Sequence, residues 1–254
     1  MSYGICTIGY MCGRAEARDA SEQVTQLVFG EHYTILEEQE KWCKITTALD
    51  QYTCWIDKKQ LSEISWQTFE EFTQNTFEVV SEANVQATDQ HGTSFTLPIG
   101  AILPFLHKQT CKLGQNSFSI SDTLHAPIPW TDLLAVFGKS TYLWGGRTQF
   151  GIDCSGFSQM AYRTHGINLL RDAYQQEEDE RASVINFDNN QEGDLAFFIN
   201  ESGKTTHVGI VLSNNQIIHA SGFLRIDTLT KTGIVSSNNQ QTHTLKNIKR
   251  YENS

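Results

Sequence analysis

The 254-residue sequence is short of positive charge and has no long apolar run. Its 19 lysines and arginines are outnumbered by 29 aspartates and glutamates, so the formal net charge is -10. A protein that binds nucleic acid needs a concentrated basic surface, and no run of basic residues occurs in the chain. No apolar stretch has the length of a membrane-spanning helix. The sequence therefore predicts neither a nucleic-acid partner nor a membrane span.

Closely spaced cysteine pairs are also missing. The six cysteines stand at positions 6, 12, 43, 54, 111 and 154, without the spacing of a zinc knuckle or a thioredoxin-type motif. We therefore predict no metal site. Five cysteines are interpreted as small buried apolar residues of a reducing compartment. The four within residues 6–54 are concentrated enough that disulfides among them stay open as the alternative.

The first 13 residues lack the basic start and apolar run of a signal peptide. Together with the reduced cysteines, this pattern leads us to expect a cytoplasmic protein. Removal of an N-terminal signal would make a periplasmic or secreted location the alternative. The sequence predicts no oligomeric state.

Three segments follow one another along the chain. Residues 1–64 contain short β-type runs separated by turns, which predicts a small barrel. The strands predicted there are Val24–Phe29, Tyr33–Glu37, Trp42–Thr46 and Tyr52–Ile56. Residues 65–126 carry a weaker strand pattern, which fits either a second, diverged barrel or an extended β-rich connection. Two prolines in Ala126-Pro127-Ile128-Pro129 predict a linker before the third segment, because proline cannot sustain a ladder or a helix interior.

In residues 127–254 the pattern changes to helices first and strands later, which predicts an α+β domain. Short helices are expected after Thr131-Asp132 and after Asp172, which would cap them. The predicted strands are Leu195–Ile199, Val208–Leu212, Ile217–Ala220, Leu224–Thr228 and Lys246–Tyr251.

A helix with a cysteine in its first turn is predicted between the two short helices. Apolar residues recur at helical spacing after Cys154, and Gly166 follows where a left-handed residue would end the helix. In the first turn, unpaired backbone N–H groups and the helix dipole favour a thiolate. We therefore interpret Cys154 as a nucleophile.

Two of the eight histidines can serve this cysteine as a base and its orienting group. His207 and His219 lie at or inside short apolar strands that are neighbours in the sequence. We assign His207 as general base and acid and His219 as the orienting group. The assignment depends on the connection between the strands, because a two-residue turn at Asn214-Asn215 would put the rings on opposite faces. A three-residue loop over 213–215, pairing Leu212 with Gln216, puts them on one face, and we predict this loop or a bulge.

Four motifs in order resemble the NlpC/P60 family of cell-wall peptidases. They are Tyr142-Leu143-Trp144-Gly145-Gly146, Asp153-Cys154-Ser155-Gly156-Phe157, His207-Val208-Gly209-Ile210 and Ile218-His219-Ala220-Ser221. The resemblance covers residues 127–254 and implies a papain-like catalytic domain. The other six histidines, including His243, lie in no motif of the family and are interpreted as structural.

The first segment resembles a bacterial SH3-like (SH3b) domain. The resemblance is carried by Arg14-Ala15-Glu16, Phe29-Gly30-Glu31, Trp42-Cys43-Lys44-Ile45 and Tyr52-Thr53-Cys54-Trp55-Ile56-Asp57. Together the two resemblances predict an α+β fold, in which one or two small SH3-like barrels precede an NlpC/P60 domain. They imply a γ-D-glutamyl-L-diamino acid endopeptidase of the dipeptidyl-peptidase VI type, acting on murein peptides with a free N-terminal L-alanine and needing no cofactor.

The same resemblance implies the substrate contacts. An acidic anchor for the substrate's α-ammonium is expected at Asp153, with Glu16 and Tyr52 of the first barrel assisting. For the D-glutamyl carboxylate, Arg171 and Ser155 are the expected donors.

Three further positions complete the predicted site. Tyr142 and Trp144 are expected to line the pocket, with Tyr142 also placed to donate to the oxyanion. Asp172 is interpreted as either a helix cap or a substrate contact. A peptidoglycan-binding protein with little or no activity, and an acyltransferase on the same scaffold, are the alternative functions.

Overall fold

The computed structural model describes residues 1–121 and 126–252. The chain forms two compact units, the first comprising Met1–Pro127 with Trp144–Gln149 and the second comprising Ile128–Leu143 with Phe150–Ser254. No helix within the described ranges has the length and apolar character that crossing a bilayer requires. All six cysteines are free thiols.

The first unit begins with an antiparallel sheet of seven strands. Its strands are β1 (Ser2–Ile5), β2 (Tyr10–Arg14), β3 (Gln23–Val28), β4 (His32–Glu38), β5 (Trp42–Thr47), β6 (Thr53–Asp57) and β7 (Glu63–Ile64). They are ordered β3-β2-β6-β5-β4-β1-β7. Burial alternates along β5, where Cys43 and Ile45 point into the core and their neighbours do not. The strands predicted from 24 to 56 are confirmed within two residues at each end.

The second half of this unit contains a helix that the sequence did not predict. Helix α1 (Trp66–Gln74) starts at Ser65, whose hydroxyl accepts from the Thr68 N–H at 3.1 Å. Six strands follow it: β8 (Glu78–Val79), β9 (Gln86–Asp89), β10 (Ser94–Thr96), β11 (Ile102–Leu103), β12 (Thr110–Leu113) and β13 (Asn116–Ile120). Four of them form a sheet ordered β10-β9-β13-β12, and β11 pairs with β8.

One core cluster joins the two halves of the first unit. It contains Ile5 and Phe29 from the first sheet and Phe72, Leu97 and Phe118 from the later elements. Residues 122–125 of the second predicted segment lie outside the described residues. The division of the chain at residues 64 and 126 stays a prediction.

A buried ion pair holds strand β14 (Arg147–Thr148) within the first unit. The Arg147 guanidinium donates to both carboxylate oxygens of Glu31, at 2.8 and 3.0 Å, and to the Gln26 carbonyl at 2.7 Å. Both charged side chains are almost fully buried. A buried ion pair is costly to break from one side, because the remaining charge then has neither water nor a partner.

We expect Arg147→Met to destabilise the protein by about 3–5 kcal/mol. The matched control is Arg18→Met, which removes an exposed pair with Glu16 and should cost less than about 1 kcal/mol. Urea unfolding, followed by far-UV circular dichroism, measures both variants. Equal midpoints for the two would show that the buried pair does not stabilise this unit.

The described part of the second unit combines three α-helices with a sheet that closes on itself. The helices are α2 (Leu133–Phe137), α3 (Cys154–Thr164) and α4 (Ala173–Glu178). The strands are β15 (Gly151–Ile152), β16 (Ala182–Ile185), β17 (Leu195–Ile199), β18 (Thr205–Leu212), β19 (Gln216–Ser221), β20 (Phe223–Thr230), β21 (Gly233–Val235) and β22 (Gln241–Tyr251). The seven strands from β16 onward are antiparallel in the order β16-β22-β17-β18-β19-β20-β21, and β21 also pairs with β22. Six strands therefore close a ring around an apolar core that includes Phe198, Val211 and Ile248.

The predicted α+β pattern of this unit is confirmed. All five predicted strands are present, and the predicted caps precede helices α2 and α4. The sequence missed β15, β16 and β21, which have two, four and three residues. Strands of that length carry too few alternating positions to give a clear signal.

Candidate active site

Helix α3 holds Cys154 at its first position. Asp153 is the N-cap, and its carboxylate accepts from the Gly156 N–H at 2.7 Å. Gly166 adopts a φ of +79° just beyond the helix, as predicted for the residue that ends it. Every residue of α3 is buried, and the helix packs against β18 and β19. The sequence prediction for this helix is confirmed.

A buried ion pair fixes the cap of this helix. The two terminal nitrogens of Arg171 donate to the two carboxylate oxygens of Asp153, at 3.2 and 2.6 Å. Arg171 also donates to the Ser155 hydroxyl at 2.9 Å. Three of the predicted substrate contacts are thus assembled beside Cys154.

The loop between the two strands that carry His207 and His219 has the predicted length. Leu212 pairs with Gln216, so residues 213–215 form a three-residue loop. Asn214 and Asn215 both adopt positive φ, which asparagine tolerates better than most residues. The predicted loop is confirmed, and it brings the rings of His207 and His219 onto one face with centroids 5.0 Å apart.

A chain of hydrogen bonds runs from His207 through His219 to an acid. His207 Nε2 lies 2.8 Å from His219 Nδ1, and His219 Nε2 lies 3.0 Å from Asp227 Oδ2. An ionised carboxylate can only accept, so His219 carries its proton on Nε2 and offers the lone pair of Nδ1. His207 must then donate through Nε2. Its Nδ1 is left with the lone pair that a general base needs.

Arg225 completes this chain at its far end. Its guanidinium donates to both carboxylate oxygens of Asp227, each at 2.8 Å. Burial opposes ionisation of Asp227, but the hydrogen bonds from Arg225 and His219 outweigh it and hold its pKa below the ordinary value. The carboxylate is therefore ionised at neutral pH.

Burial controls the protonation of Cys154 and of His207. It raises the pKa of Cys154 to about 12, with Asp153 acting in the same direction and the N–H groups of Val208 and Ser155 opposing it. Burial also lowers the pKa of His207 well below its usual value, and that of His219 to about 4. The expectation that the helix start would give a thiolate is wrong, because loss of hydration outweighs the N–H groups. Thiol and imidazole are both neutral.

Alkylation of Cys154 should therefore keep accelerating as the pH rises. Only the thiolate reacts, and its fraction grows about tenfold per pH unit until the pKa is reached. We expect the rate with iodoacetamide, followed on the Cys154 peptide by mass spectrometry, to rise throughout pH 6–10. An unstructured peptide that contains one cysteine, with a thiol pKa of about 8.5, should level off in this range. A plateau for Cys154 at acidic pH would contradict the buried-thiol interpretation.

Sequence reasoning missed Asp227 and His243. Asp227 shares a strand face with Leu229, two residues further along β20, and an acid in phase with an apolar strand position is the signal that could have identified it. His243, interpreted as structural, stacks on His207 with ring centroids 4.2 Å apart. Nothing in its local sequence indicates that neighbour, because β22 and β18 are separated by β17 in the sheet.

The remaining predicted residues divide between the two units. In the second unit, burial raises the pKa of Tyr142, and Cys154 and Asp153 act in the same direction. Asp172 is the N-cap of α4, where its N–H donates to the Gln175 side chain at 2.9 Å.

The first unit contains the other three predicted residues, Glu16, Tyr52 and Trp144. There Glu16 is exposed and pairs with Arg18, and the Trp144 indole donates to Glu22. The roles assigned to these residues toward a substrate stay predictions.

Two family models match the chain. The NlpC/P60 family matches residues 138–245, which include Cys154, His207 and His219. The bacterial dipeptidyl-peptidase Sh3 domain matches residues 13–61, which lie within the first sheet and its connections.

Several known proteins are similar over most of the chain. A γ-D-glutamyl-L-lysine dipeptidyl-peptidase of Bacillus cereus is 26% identical over 232 residues, covering 80% of this chain and 68% of the relative. The protein of that name from Bacillus subtilis is 27% identical over 234 residues, covering 82% and 76%. The crystal structure of an NlpC/P60 family protein from Bacillus cereus has the same fold, with a TM-score of 0.77, 19% identity, and 98% and 99% of the two chains covered. The chain therefore contains an NlpC/P60 domain over residues 138–245, preceded by a bacterial dipeptidyl-peptidase Sh3 domain over residues 13–61.

Proposed function

We propose that this protein is a cysteine peptidase that cleaves the γ-D-glutamyl-L-diamino acid bond of murein peptides and releases L-Ala-γ-D-Glu. The observation that carries the proposal is the hydrogen-bonded chain His207–His219–Asp227 on the sheet against which the Cys154 helix packs. Relatives named for γ-D-glutamyl-L-lysine dipeptidyl-peptidase activity support the bond and the substrate class.

The neutral thiol and imidazole define the order of the proton transfers. His207 Nδ1 takes the Cys154 proton as the sulfur attacks the γ-carbonyl of D-glutamate. The resulting imidazolium is stabilised through His219 by the Asp227 carboxylate. His207 then returns the proton to the leaving amine of the diamino acid, which leaves a thioester. Water, deprotonated by His207, hydrolyses the thioester and regenerates the thiol.

Incubation of the purified protein with L-Ala-γ-D-Glu-meso-diaminopimelate, and with the L-lysine analogue, tests the reaction. Appearance of L-Ala-γ-D-Glu together with the free diamino acid, separated by liquid chromatography and mass spectrometry, is expected. Both tripeptides remaining intact would refute the proposed activity. A competing amine such as hydroxylamine distinguishes hydrolysis from acyl transfer, because only an acyltransferase would need it for turnover.

The proposal includes selection of peptides with a free N-terminus. Acidic and hydroxyl side chains predicted to face the α-ammonium would lose their partner if that amine were acylated. The N-acetylated tripeptide should therefore be cleaved much more slowly than the free amine. Equal rates would show that the site does not select the amino terminus.

A role in the recycling of wall fragments follows from cleavage of free murein peptides. Six free thiols support a reducing, cytoplasmic location for this role. Cell fractionation with an antibody against the protein tests the location, and recovery outside the cytoplasm would contradict it.

A further inference from the structure

Three imidazoles meet inside the closed sheet of the second unit. His207, His219 and His243 come from β18, β19 and β22, and one ring nitrogen of each lies within 4.8 Å of the other two. The ring of His243 stacks on that of His207 and lies 5.6 Å from that of His219. The reaction described above uses only two of these rings. With His243, the cluster offers three histidine ligands, the set that some catalytic zinc sites use.

The surroundings of the cluster suit a metal. Asp227 accepts from His219 Nε2, the arrangement in which a carboxylate orients a metal-binding imidazole. His243 is half-buried while the other two are buried, which gives an ion an approach from the His243 side.

We propose that His207, His219 and His243 bind a zinc ion that switches the enzyme off. A tetrahedral zinc with bonds of about 2.0–2.1 Å holds its nitrogens about 3.3 Å apart. His207 Nε2 and His219 Nδ1, now 2.8 Å apart, would separate by about half an ångström. The His243 nitrogen would move inward to complete the triad.

Zinc binding prevents His207 from acting as a base, because one proton moves to its Nδ1. The ion takes the Nε2 lone pair of His207 and the Nδ1 lone pair of His219, so the proton that joined them moves to His207 Nδ1. The proton count of the ring is unchanged, but Nδ1 no longer has a lone pair to accept the thiol proton. This inhibition rests on the proposed function, whereas the zinc site itself does not.

Calorimetric titration with zinc chloride tests the site without any substrate. The protein for the test carries Cys154→Ala, so that a thiolate cannot supply a ligand. One zinc per chain is expected, and adding His243→Phe, which keeps a stacking ring, should weaken binding at least about tenfold. His91→Ala, which removes an exposed histidine of the first unit, should leave the affinity unchanged. Magnesium should produce no binding heat, because it requires oxygen ligands.

Two results would overturn the proposal. One is the absence of zinc binding to the Cys154→Ala protein, and the other is unchanged affinity after His243→Phe. If thermal melting shows that His243→Phe does not fold, His243→Gln provides the same comparison. With wild-type protein, zinc should reduce turnover at the stoichiometry found by calorimetry. A protein that binds zinc in this way but never cleaves the tripeptide would refute the proposed function and leave the metal site standing.

Discussion

Cys154→Ala should abolish cleavage of the tripeptide while the protein still folds. Alanine has no nucleophile, and the buried site offers no other group at the first position of α3. Loss of a catalytic nucleophile costs about 10⁴-fold or more in kcat. The measurement is release of L-Ala-γ-D-Glu over a long incubation at high protein concentration.

The control for this variant is Cys12→Ala, which removes a half-buried thiol of the first unit. It should retain wild-type turnover. Thermal melting of both variants separates loss of chemistry from loss of fold. Because the change only truncates the thiol, Cys154→Ala should still bind the tripeptide in a calorimetric titration. Measurable turnover by the alanine variant would show that Cys154 is not the nucleophile.

Asp227→Asn should lower kcat by about 10²–10⁴-fold with little change in KM. Arg225 donates to both oxygens of the carboxylate, so an asparagine amide would lose one of these bonds in either orientation. Asparagine also lacks the negative charge that stabilises the imidazolium formed by His207 and His219. Where its NH₂ faces His219, His219 accepts through Nε2 and donates through Nδ1. His207 then accepts through Nε2 and carries its proton on Nδ1, where the base is needed.

A matched control for this change is Asp188→Asn. Asp188 forms an exposed ion pair with Lys231, so the same substitution there should leave kcat unchanged. Thermal melting followed by circular dichroism shows the folded fraction of each preparation, which distinguishes a slower site from fewer folded molecules. Turnover by Asp227→Asn within about threefold of the wild type would mean that His207 does not depend on the Asp227 carboxylate for its tautomer or its charge stabilisation.

The sequence alone was sufficient for much of the local structure of this site. Asp153 as cap and Gly166 as terminator define α3 because each acts on backbone groups within a few residues of itself. Side chains alternate between the two faces of a strand, so only a loop with an odd number of residues puts both histidines on one face. This requirement predicted the pairing of Leu212 with Gln216. Helix α1 was missed, although Trp66, Phe69 and Phe72 recur at three-residue spacing.

The sequence predicts Cys154 as nucleophile, His207 as base and His219 as orienting group because each lies in a short motif whose chemistry is local. The positions of Asp227 and His243 were decided by the tertiary structure, since both meet the site only when β20 and β22 join the ring of strands. The protonation of Cys154 was decided in the same way. The N–H groups at a helix start lower the pKa of a thiol, and the sequence shows them. Burial of the sulfur depends on all the residues packed around it, and here burial raises the pKa of Cys154 by more than the N–H groups lower it.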